Sequence, residues 1–295
     1  MKIVSVTPAG RKIQLAILIP YLLKNRGKID EHHFWVNSIF DSDIAYIRKA
    51  CDEHPDFFKF IECPLGSPIP KPMWPYQSLN SFHALCKDEN TIYIRFDDDI
   101  CWIDEDFVEN MVKFRTENPE YFLVSANVIN NGVCAMLHQR CGAIKHPMVC
   151  DGICGGNAWA DPEFALFQHR ELIRHIKDKT TDVYKCFKQW VLLDVLKNYD
   201  RSINPEMKFK EPGRFSINCV CWFGRDYPRY CESFYKDGVF KGEETWPTYY
   251  YPREVNKFNV ICGDAVVAHF SYGVQRQTLI MSDVIQQYTE LANAL

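Results

Sequence analysis

The sequence predicts an α/β fold in which helices flank a central, mostly parallel β-sheet. Short runs rich in β-branched and aromatic residues alternate with helical patterns through the first hundred residues. Strands separated by helices at this spacing form βαβ units, whose strands pair in parallel. The second half of the chain has a looser pattern, so we expect a smaller mixed sheet and loops there.

Glycine and proline residues mark the ends of the helices and strands predicted in the first half of the chain. The first helix should end at Gly27, because glycine is common just past a helix C-terminus. The proline-rich residues 63–76 suit neither helix nor strand. Between these stops, strands are predicted over residues 2–7, 33–37, 57–63 and 91–96, and helices over residues 11–25, 43–54 and 77–87.

The second half contains fewer clear signals. Asp104 is expected to cap a helix over residues 104–115, because an Asp side chain accepts hydrogen bonds from the first N–H groups of a helix. Residues 130–161 are rich in Gly, Cys and Asn and are interpreted as loop with short strands. Apolar periodicity predicts strands over residues 121–127, 215–223 and 259–270, and helices over residues 181–198 and 278–294. No repeat or linker divides the chain, so a single domain over residues 1–295 is predicted.

Composition excludes several classes of protein. The net charge of −4 argues against a nucleic-acid-binding protein, which would carry a basic surplus. The apolar run over residues 13–23 is too short to span a bilayer, so no integral membrane segment is expected. The 13 cysteines include no C-x-x-C pair, which favours reduced thiols and a cytoplasmic protein. A lipid-linked partner would bring such a protein to a membrane surface.

Three consecutive carboxylates, Asp97, Asp98 and Asp99, follow the strand predicted over residues 91–96. Ligands bind outside the C-terminal ends of the strands in open parallel sheets. Side chains alternate along an extended chain, so Asp97 and Asp99 should face one side and Asp98 the other. Carboxylates placed in this way suit Mg²⁺ or Mn²⁺, which complete their shells with substrate phosphates. The alternative is an acidic turn before the next helix.

Four segments carry a resemblance to a known family. The sequence YIRFDDDI (residues 93–100) resembles the D-x-D segment of GT-A glycosyltransferases, which use nucleotide-sugar donors. Residues 5–11 resemble the loop that wraps the nucleotide in that family, and residues 76–85 resemble the helix that carries an Asn towards the nucleotide. Residues 268–276 resemble the late segment in which a His supplies a further metal ligand.

The resemblance implies a Rossmann-like, GT-A-like domain. Residues of about 1–130 would bind the nucleotide sugar, and residues of about 131–295 would bind the acceptor and carry catalysis. The cofactor would be Mn²⁺ or Mg²⁺, held by Asp99, Asp97 and His269. The implied donor is a UDP-sugar, and the implied nucleotide-binding residues are Thr7, Pro8, Ala9, Gly10, Arg11, Gln77, Asn80, Arg95, Asp97 and Asp98.

Further residues are assigned to the donor by their chemistry. Arg276, together with Arg11 and Arg95, is a candidate for diphosphate contact, because guanidinium groups match phosphate oxygens. Gly155 and Gly156 would let the backbone approach the donor sugar, or mark a turn.

A carboxylate between the aspartates and His269 would be the catalytic base. In inverting members of the family, the base removes the proton of the acceptor hydroxyl as the new bond forms. Glu244 and Glu243 occupy the matching place, although they depart from the family's usual Glu-Asp pair. Asp226 and Asp161 are alternatives.

The sequence therefore predicts a hexosyl- or pentosyltransferase that moves a sugar from a UDP-sugar to a hydroxyl of a glycan acceptor by direct displacement. Trp159, Trp222 and Trp246 are predicted to stack on the acceptor. A sugar nucleotidyltransferase is an alternative. Such enzymes resemble one another in a Gly-rich N-terminal signature with a downstream Pro-Lys, and the first loop of this sequence lacks that pattern. A carbohydrate-binding module would explain the aromatic residues but not the clustered carboxylates.

Overall fold

The structure is a computed structural model that describes residues 1–64, 76–192, 214–226, 235–236, 239–240 and 243–295. Its strands are β1 (Lys2–Ala9), β2 (Glu31–Val36), β3 (Phe58–Ile61), β4 (Thr91–Phe96), β5 (Ile100–Ile103), β6 (Val124–Ile129), β7 (Gln189–Leu192), β8 (Cys219–Phe223), β9 (Tyr235–Lys236), β10 (Val239–Phe240) and β11 (Asn259–His269). Its helices are α1 (Lys12–Lys24), α2 (Asp41–Glu53), α3 (Tyr76–His83), α4 (Phe107–Glu117), α5 (Gly132–Arg140), α6 (Asn157–Ala160), α7 (Pro162–Lys177), α8 (Tyr251–Glu254), α9 (Arg276–Met281) and α10 (Val284–Asn293).

Nine strands form one central sheet. Eight of them follow the order β3-β2-β1-β4-β8-β6-β11-β5, and the ninth, β7, pairs with the start of β11, whereas β5 pairs with its end. Six strands, β1 to β4, β6 and β11, run in the same direction, whereas β5, β7 and β8 run in the opposite direction. Strands β9 and β10 form a separate antiparallel pair. The predicted α/β fold, with helices flanking a mostly parallel Rossmann-like sheet, is confirmed.

The central strands are buried on both faces. Every residue of β4, β6 and β8 is buried, so these strands show no alternation of buried and exposed positions. Helix α1 packs against β5 and α10, and helix α4 packs against β11. Because β1, β4, β6 and β11 run in the same direction, their carboxyl ends lie at one edge of the sheet.

The helix predicted over residues 181–198 is wrong in its described part. A single 3₁₀ turn over Thr181–Tyr184 is followed by β7, which pairs antiparallel with β11 from Leu192–Asn259 to Gln189–Cys262. Amphipathic spacing indicates a helix here, but the sheet hydrogen bonds to β11 decide the outcome. Residues 193–198 lie outside the described part of the chain.

Asp104 does not cap the following helix. Helix α4 begins after Asp106, and the Asp104 carboxylate instead lies 2.8 Å from the ammonium group of Lys185. The short strand β5 lies between the three aspartates and this helix, and the sequence analysis did not predict it. Asp104 therefore ties the end of β5 to the segment before β7.

Two further expectations are corrected. Residues 130–161 contain helices α5 and α6 rather than short strands, and the Asn131 side chain caps α5 by accepting from the N–H groups of Val133 and Cys134. The closing helix is divided into α9 and α10, with extended backbone at Ser282 between them.

None of the helices in the described part of the chain combines the length and apolar character that a bilayer crossing requires.

His138, in α5, links protein stability to pH. Its ring is fully buried beside Tyr184 and Phe187, and neither ring nitrogen has a hydrogen-bond partner among the described residues. Burial lowers the pKa of His138 to about 3. As the pH falls, His138 is therefore protonated in the unfolded chain before it is protonated in the folded protein. The stability that neutral His138 contributes above pH ~6.5 is lost as the pH falls towards 3.

We expect the free energy of unfolding to fall by about 2 kcal/mol more in the wild type than in His138→Phe when the pH is lowered from 7 to 5. Phenylalanine keeps an apolar ring in place and removes the titration. Urea unfolding of both proteins at the two pH values measures the difference, and equal losses would contradict the assignment.

Candidate active site

The carboxyl ends of four parallel strands meet at one edge of the sheet. The segments that leave β1, β4, β6 and β11 at this edge are Gly10–Arg11, Asp97–Asp99, Asn130–Asn131 and Phe270–Ser271. A cavity of about 560 Å³ opens there. Its volume lies within the range of small-molecule sites in proteins.

The three residues predicted as metal ligands lie together in this cavity. Ligand atoms of Asp97, Asp99 and His269 all lie within 4.8 Å of one another. His269 Nε2 is 3.2 Å from Asp99 Oδ1, and both side chains are almost fully buried. A backbone hydrogen bond from Phe270 N–H to the Asp99 carbonyl (2.8 Å) joins the end of β11 to the aspartate turn.

Asp98 faces the first loop. It accepts hydrogen bonds from the Gly10 N–H (3.0 Å) and from Arg11 Nε (2.9 Å), and Arg11 Nη2 also contacts it. Arg11 Nη1 reaches Asp99 Oδ2 at 2.8 Å, so one guanidinium group bridges two of the three aspartates. The backbone is tightly packed at Gly10, where a Cβ atom would lie 3.0 Å from the Asn37 carbonyl oxygen.

A second arginine neutralises Asp97. Arg95, which is 3% exposed, donates to Asp97 Oδ1 (2.8 Å) and to Glu243 (3.2 Å). On the other side, Asn218 Nδ2 donates to Asp97 Oδ2 (3.3 Å). Both carboxylate oxygens of Asp97 therefore have donors.

Glu244, which is predicted as the base together with Glu243, also lines the cavity and pairs with Arg214 at 2.8 Å. Sequence reasoning missed Arg214, Asn218 and Tyr272, which line the same cavity. Tyr272 lies within the late segment that resembles the glycosyltransferase family, but Arg214 and Asn218 carry no local signal, because they reach the site only through the pairing of β8.

Burial and charge act differently on the two metal-facing carboxylates. Burial raises the pKa of Asp97 to about 6, against the opposing effect of Arg95. Burial alone would also raise the pKa of Asp99, but Arg11 and His269 hold this pKa below its ordinary value. Burial raises the pKa of both Glu243 and Glu244, which makes these carboxylates stronger proton acceptors.

The residues present fit a divalent cation. Two carboxylates and an imidazole form the donor set, and His269 Nδ1 is buried without a hydrogen-bond partner among the described residues. Carboxylate and phosphate oxygens suit Mg²⁺, and the added imidazole nitrogen is compatible with Mn²⁺.

Arg276 differs from the other arginines of the cavity. No ion pair to it is found in the described part of the chain, and its Nε atom is buried there without a hydrogen-bond partner. The buried Ser271 hydroxyl, which also lines the cavity, likewise lacks a partner among the described residues. Both groups are available to an anionic ligand.

Several predicted donor residues do not line the cavity. Thr7, Pro8 and Ala9 form the end of β1, and the Thr7 and Ala9 side chains are buried. The side chains of Gln77 and Asn80 lie outside those that the structure describes.

The predicted glycines have structural explanations. Gly155 is exposed with a φ of 77°, which a glycine adopts without strain. A Cβ atom at Gly156 would collide with the Asp151 carboxylate, which accepts from the Asn157 N–H (2.9 Å).

Two of the three predicted acceptor platforms are in the core. Trp222 is fully buried and stacks on Tyr93 at 5.7 Å between ring centroids, and Trp246 is buried against Tyr250. Neither ring presents a face to a sugar. Trp159 alone is half-buried near the cavity, with its ring 5.9 Å from that of Tyr272.

The alternative bases have other partners. Asp226 follows the end of β8, at the opposite edge of the sheet from Asp97, and pairs with Lys257 at 2.8 Å. Asp161 caps α7 by accepting from the N–H groups of Glu163 and Phe164. Only Glu243 and Glu244 of the four predicted carboxylates lie in the cavity.

Comparison with known proteins finds a likeness in structure. A CMP:2-keto-3-deoxy-manno-octonic acid synthetase complexed with CTP matches over 100% of both chains, with 10% sequence identity and a TM-score of 0.47. No family model matches the chain, and no curated protein matches it.

This comparison corrects the predicted enzyme class. The matching structure is a synthetase with bound CTP and not a glycosyltransferase, so the prediction of a hexosyl- or pentosyltransferase is wrong. With 10% identity and a TM-score of 0.47, nothing further is carried over from that protein to this chain.

Arg95 should be essential to the stability of the site. Arg95→Met removes the guanidinium group from the buried carboxylates of Asp97 and Glu243. Because an uncompensated buried charge is costly, we expect the free energy of unfolding to fall by about 3 kcal/mol or more at pH 7.

Arg174→Met is the matched control, since it removes an arginine from the exposed pair with Glu171 and should change stability little. Chemical denaturation of both variants measures the difference. Equal losses would contradict the role assigned to Arg95.

Proposed function

We propose that the chain is a divalent-cation-dependent nucleotidyltransferase that joins the nucleoside monophosphate part of a nucleoside triphosphate to a small sugar. The observation that carries the proposal is the cluster of Asp97, Asp99 and His269, whose ligand atoms lie within 4.8 Å of one another in a cavity that arginines also line. This combination of a cation site and guanidinium groups suits a polyphosphate.

The surroundings of the cluster support a small second substrate. Trp222 and Trp246, the large aromatic rings that would hold an extended glycan, are buried in the core. The cavity of about 560 Å³ lies within the range of small-molecule sites, which suits two small substrates better than an extended glycan. A nucleotide sugar is then the product of the reaction.

In the proposed enzyme, Asp97, Asp99 and His269 would hold Mn²⁺ or Mg²⁺. A cation bound there would neutralise the negative charge that develops on the departing pyrophosphate. Arg276, the cavity arginine without an ion pair in the described chain, would contact the phosphate oxygens, with the Ser271 hydroxyl beside it. Arginines would replace the Gly-rich loop that other sugar nucleotidyltransferases use.

Glu244 is proposed as the base. A sugar hydroxyl oxygen would bond to the α-phosphorus, the bond from that phosphorus to the β-phosphate oxygen would break, and pyrophosphate would leave. Glu244 would accept the hydroxyl proton, and Arg214, 2.8 Å away, would hold the carboxylate in place. Burial raises the pKa of Glu244, which favours proton uptake.

A product assay tests the proposed reaction. The protein is incubated with CTP, UTP, ATP or GTP, a panel of sugars, sugar acids and sugar phosphates, and Mn²⁺ or Mg²⁺. We expect one nucleotide and sugar pair to yield equimolar pyrophosphate and nucleotide sugar, detected by a coupled phosphate assay and mass spectrometry. Glu244→Gln should bind the nucleotide but lose at least about 100-fold in turnover.

Release of a nucleoside diphosphate from a ready-made nucleotide sugar, without use of any triphosphate, would contradict the proposal. Absence of pyrophosphate with every pair would also contradict it.

Loss of one metal ligand should remove the effect of the cation. We expect Mn²⁺ with a nucleoside triphosphate to raise the melting temperature of the wild type, since a ligand that binds the folded state stabilises it. In Asp99→Asn this shift should be absent, because the amide lacks the charge that holds the cation. Differential scanning fluorimetry measures the shift in each protein against its own ligand-free value.

Asp226→Asn is the control, because Asp226 lies at the opposite edge of the sheet and should leave the shift unchanged. An equal shift in Asp99→Asn and the wild type would exclude Asp99 as a ligand.

A further inference from the structure

Two consecutive asparagines lie where β6 ends, between the two segments that carry the candidate metal ligands. Asn130 and Asn131 are both buried, and the reaction proposed above assigns no role to them. Asn130 has a φ of 65°, in the left-handed region that costs energy for a residue with a side chain. Such a conformation persists only where the surroundings enforce it.

The Asn130 amide binds the segment that carries His269. Its Nδ2 atom donates to the carbonyl oxygens of His269 (3.3 Å) and Phe270 (3.1 Å), and to Gln275 Oε1 (2.9 Å). Gln275 is fully buried; it accepts from the Tyr272 N–H (3.1 Å). The backbone after β11 is thus held by side-chain amides.

Gln275 also fastens this segment to α6. Its Nε2 atom donates to the carbonyl oxygens of Ala158 (3.2 Å) and Trp159 (3.0 Å). All the polar atoms of the Gln275 side chain are therefore engaged, and the turn from His269 to Gln275 has little freedom to move.

The Asn131 amide reaches the other side of the candidate metal site. Its Oδ1 atom caps α5, while its Nδ2 atom donates to Asn218 Oδ1 (3.2 Å). Asn218 Nδ2 in turn donates to Asp97 Oδ2 (3.3 Å), and Tyr272 Oη donates to the same Asn218 oxygen (3.0 Å). The chain of bonds orients Asn218 so that its amide nitrogen faces Asp97.

We infer that Asn130 and Asn131 are positioning residues that set the spacing between the His269 side and the Asp97 side of the cation site. The inference rests on the proposed function, because it needs a cation at Asp97, Asp99 and His269. Groups that orient metal ligands typically change metal affinity by roughly 10- to 100-fold when removed. An effect of this kind is distinct from a general loss of stability.

Asn127 provides a matched structural control. It lies three residues earlier in β6, is fully buried, and donates from Nδ2 to two carbonyl oxygens, those of Tyr184 and Gly263, both at 2.9 Å. The Tyr184 carbonyl lies outside the ligand-bearing segments, and the Gly263 carbonyl lies in β11 but six residues before His269. Asn127→Ala should therefore lower stability without changing cation affinity.

The test compares Mn²⁺ dissociation constants, measured by electron paramagnetic resonance titration at a temperature where each protein is folded. Asn130→Gly keeps the left-handed backbone but removes the amide, and Asn131→Ser keeps a helix cap but removes the donor to Asn218. We expect each to weaken Mn²⁺ binding about tenfold or more. Asn256→Gly, at another left-handed asparagine (φ 51°), should leave Mn²⁺ affinity unchanged.

If the wild type binds Mn²⁺ and both variants bind it with the same dissociation constant, the inference is overturned while the proposed function stands. An equal loss of affinity in Asn127→Ala would also overturn it, because general destabilisation would then explain the effect. A wild type that does not bind Mn²⁺ overturns the cation site and the inference together. If Asn130→Gly does not fold, Asn131→Ser with its retained cap decides the question.

Discussion

Repulsion between carboxylates at the end of β4 is the constraint on which the rest of the site depends. Asp98 and Asp99 are almost fully buried and Asp97 is close beside them, so each needs a counter-charge within the fold. Arg11 supplies it from the first loop and Arg95 from the strand itself. Because a buried carboxylate without its partner is strongly destabilising, the aspartate turn and the first loop must fold together.

Later parts of the chain also take part in neutralising the buried carboxylates at this edge of the sheet. Arg95 is shared between Asp97 and Glu243, and Glu244 is held by Arg214. Glu243 is therefore joined to Asp97 through the Arg95 guanidinium group rather than by direct contact. Carboxylates and guanidinium groups already alternate in this site. A bound metal cation would add positive charge, and a polyphosphate ligand would complement that charge.

The antiparallel strand β8 has a particular part in this arrangement. It is inserted between β4 and β6, and Cys219 at its start pairs with Phe96 at the end of β4. This register brings Asn218 to Asp97, with a backbone hydrogen bond from the Asp97 N–H to the Asn218 carbonyl (2.8 Å). A strand of the second half of the chain thus completes the ligand-facing end of a strand of the first half.

The errors of prediction share one physical origin. Residues 189–192 have helical spacing but become β7 because β11 offers them an open set of hydrogen-bonding groups. Asp104 has the chemistry of a helix cap but lies opposite Lys185, a more favourable partner for a buried carboxylate. Trp222 looks like a platform for sugars, but it lies in β8, whose residues are all buried. In each case a distant partner outweighed the local preference.

The sequence by itself determined the alternation of strands and helices and the placement of Asp97 to Asp99 at a strand end, because these depend on local spacing and side-chain chemistry. The candidacy of His269 came from the resemblance of residues 268–276 to a known family. Only the tertiary structure decided that Arg11 bridges Asp98 and Asp99, that Glu244 rather than Asp226 lies in the cavity, and that Asn130 and Asn131 stand between the ligand-bearing segments. The reason is that these contacts join residues far apart along the chain, and they form only when sheet pairing brings the strand ends to one edge.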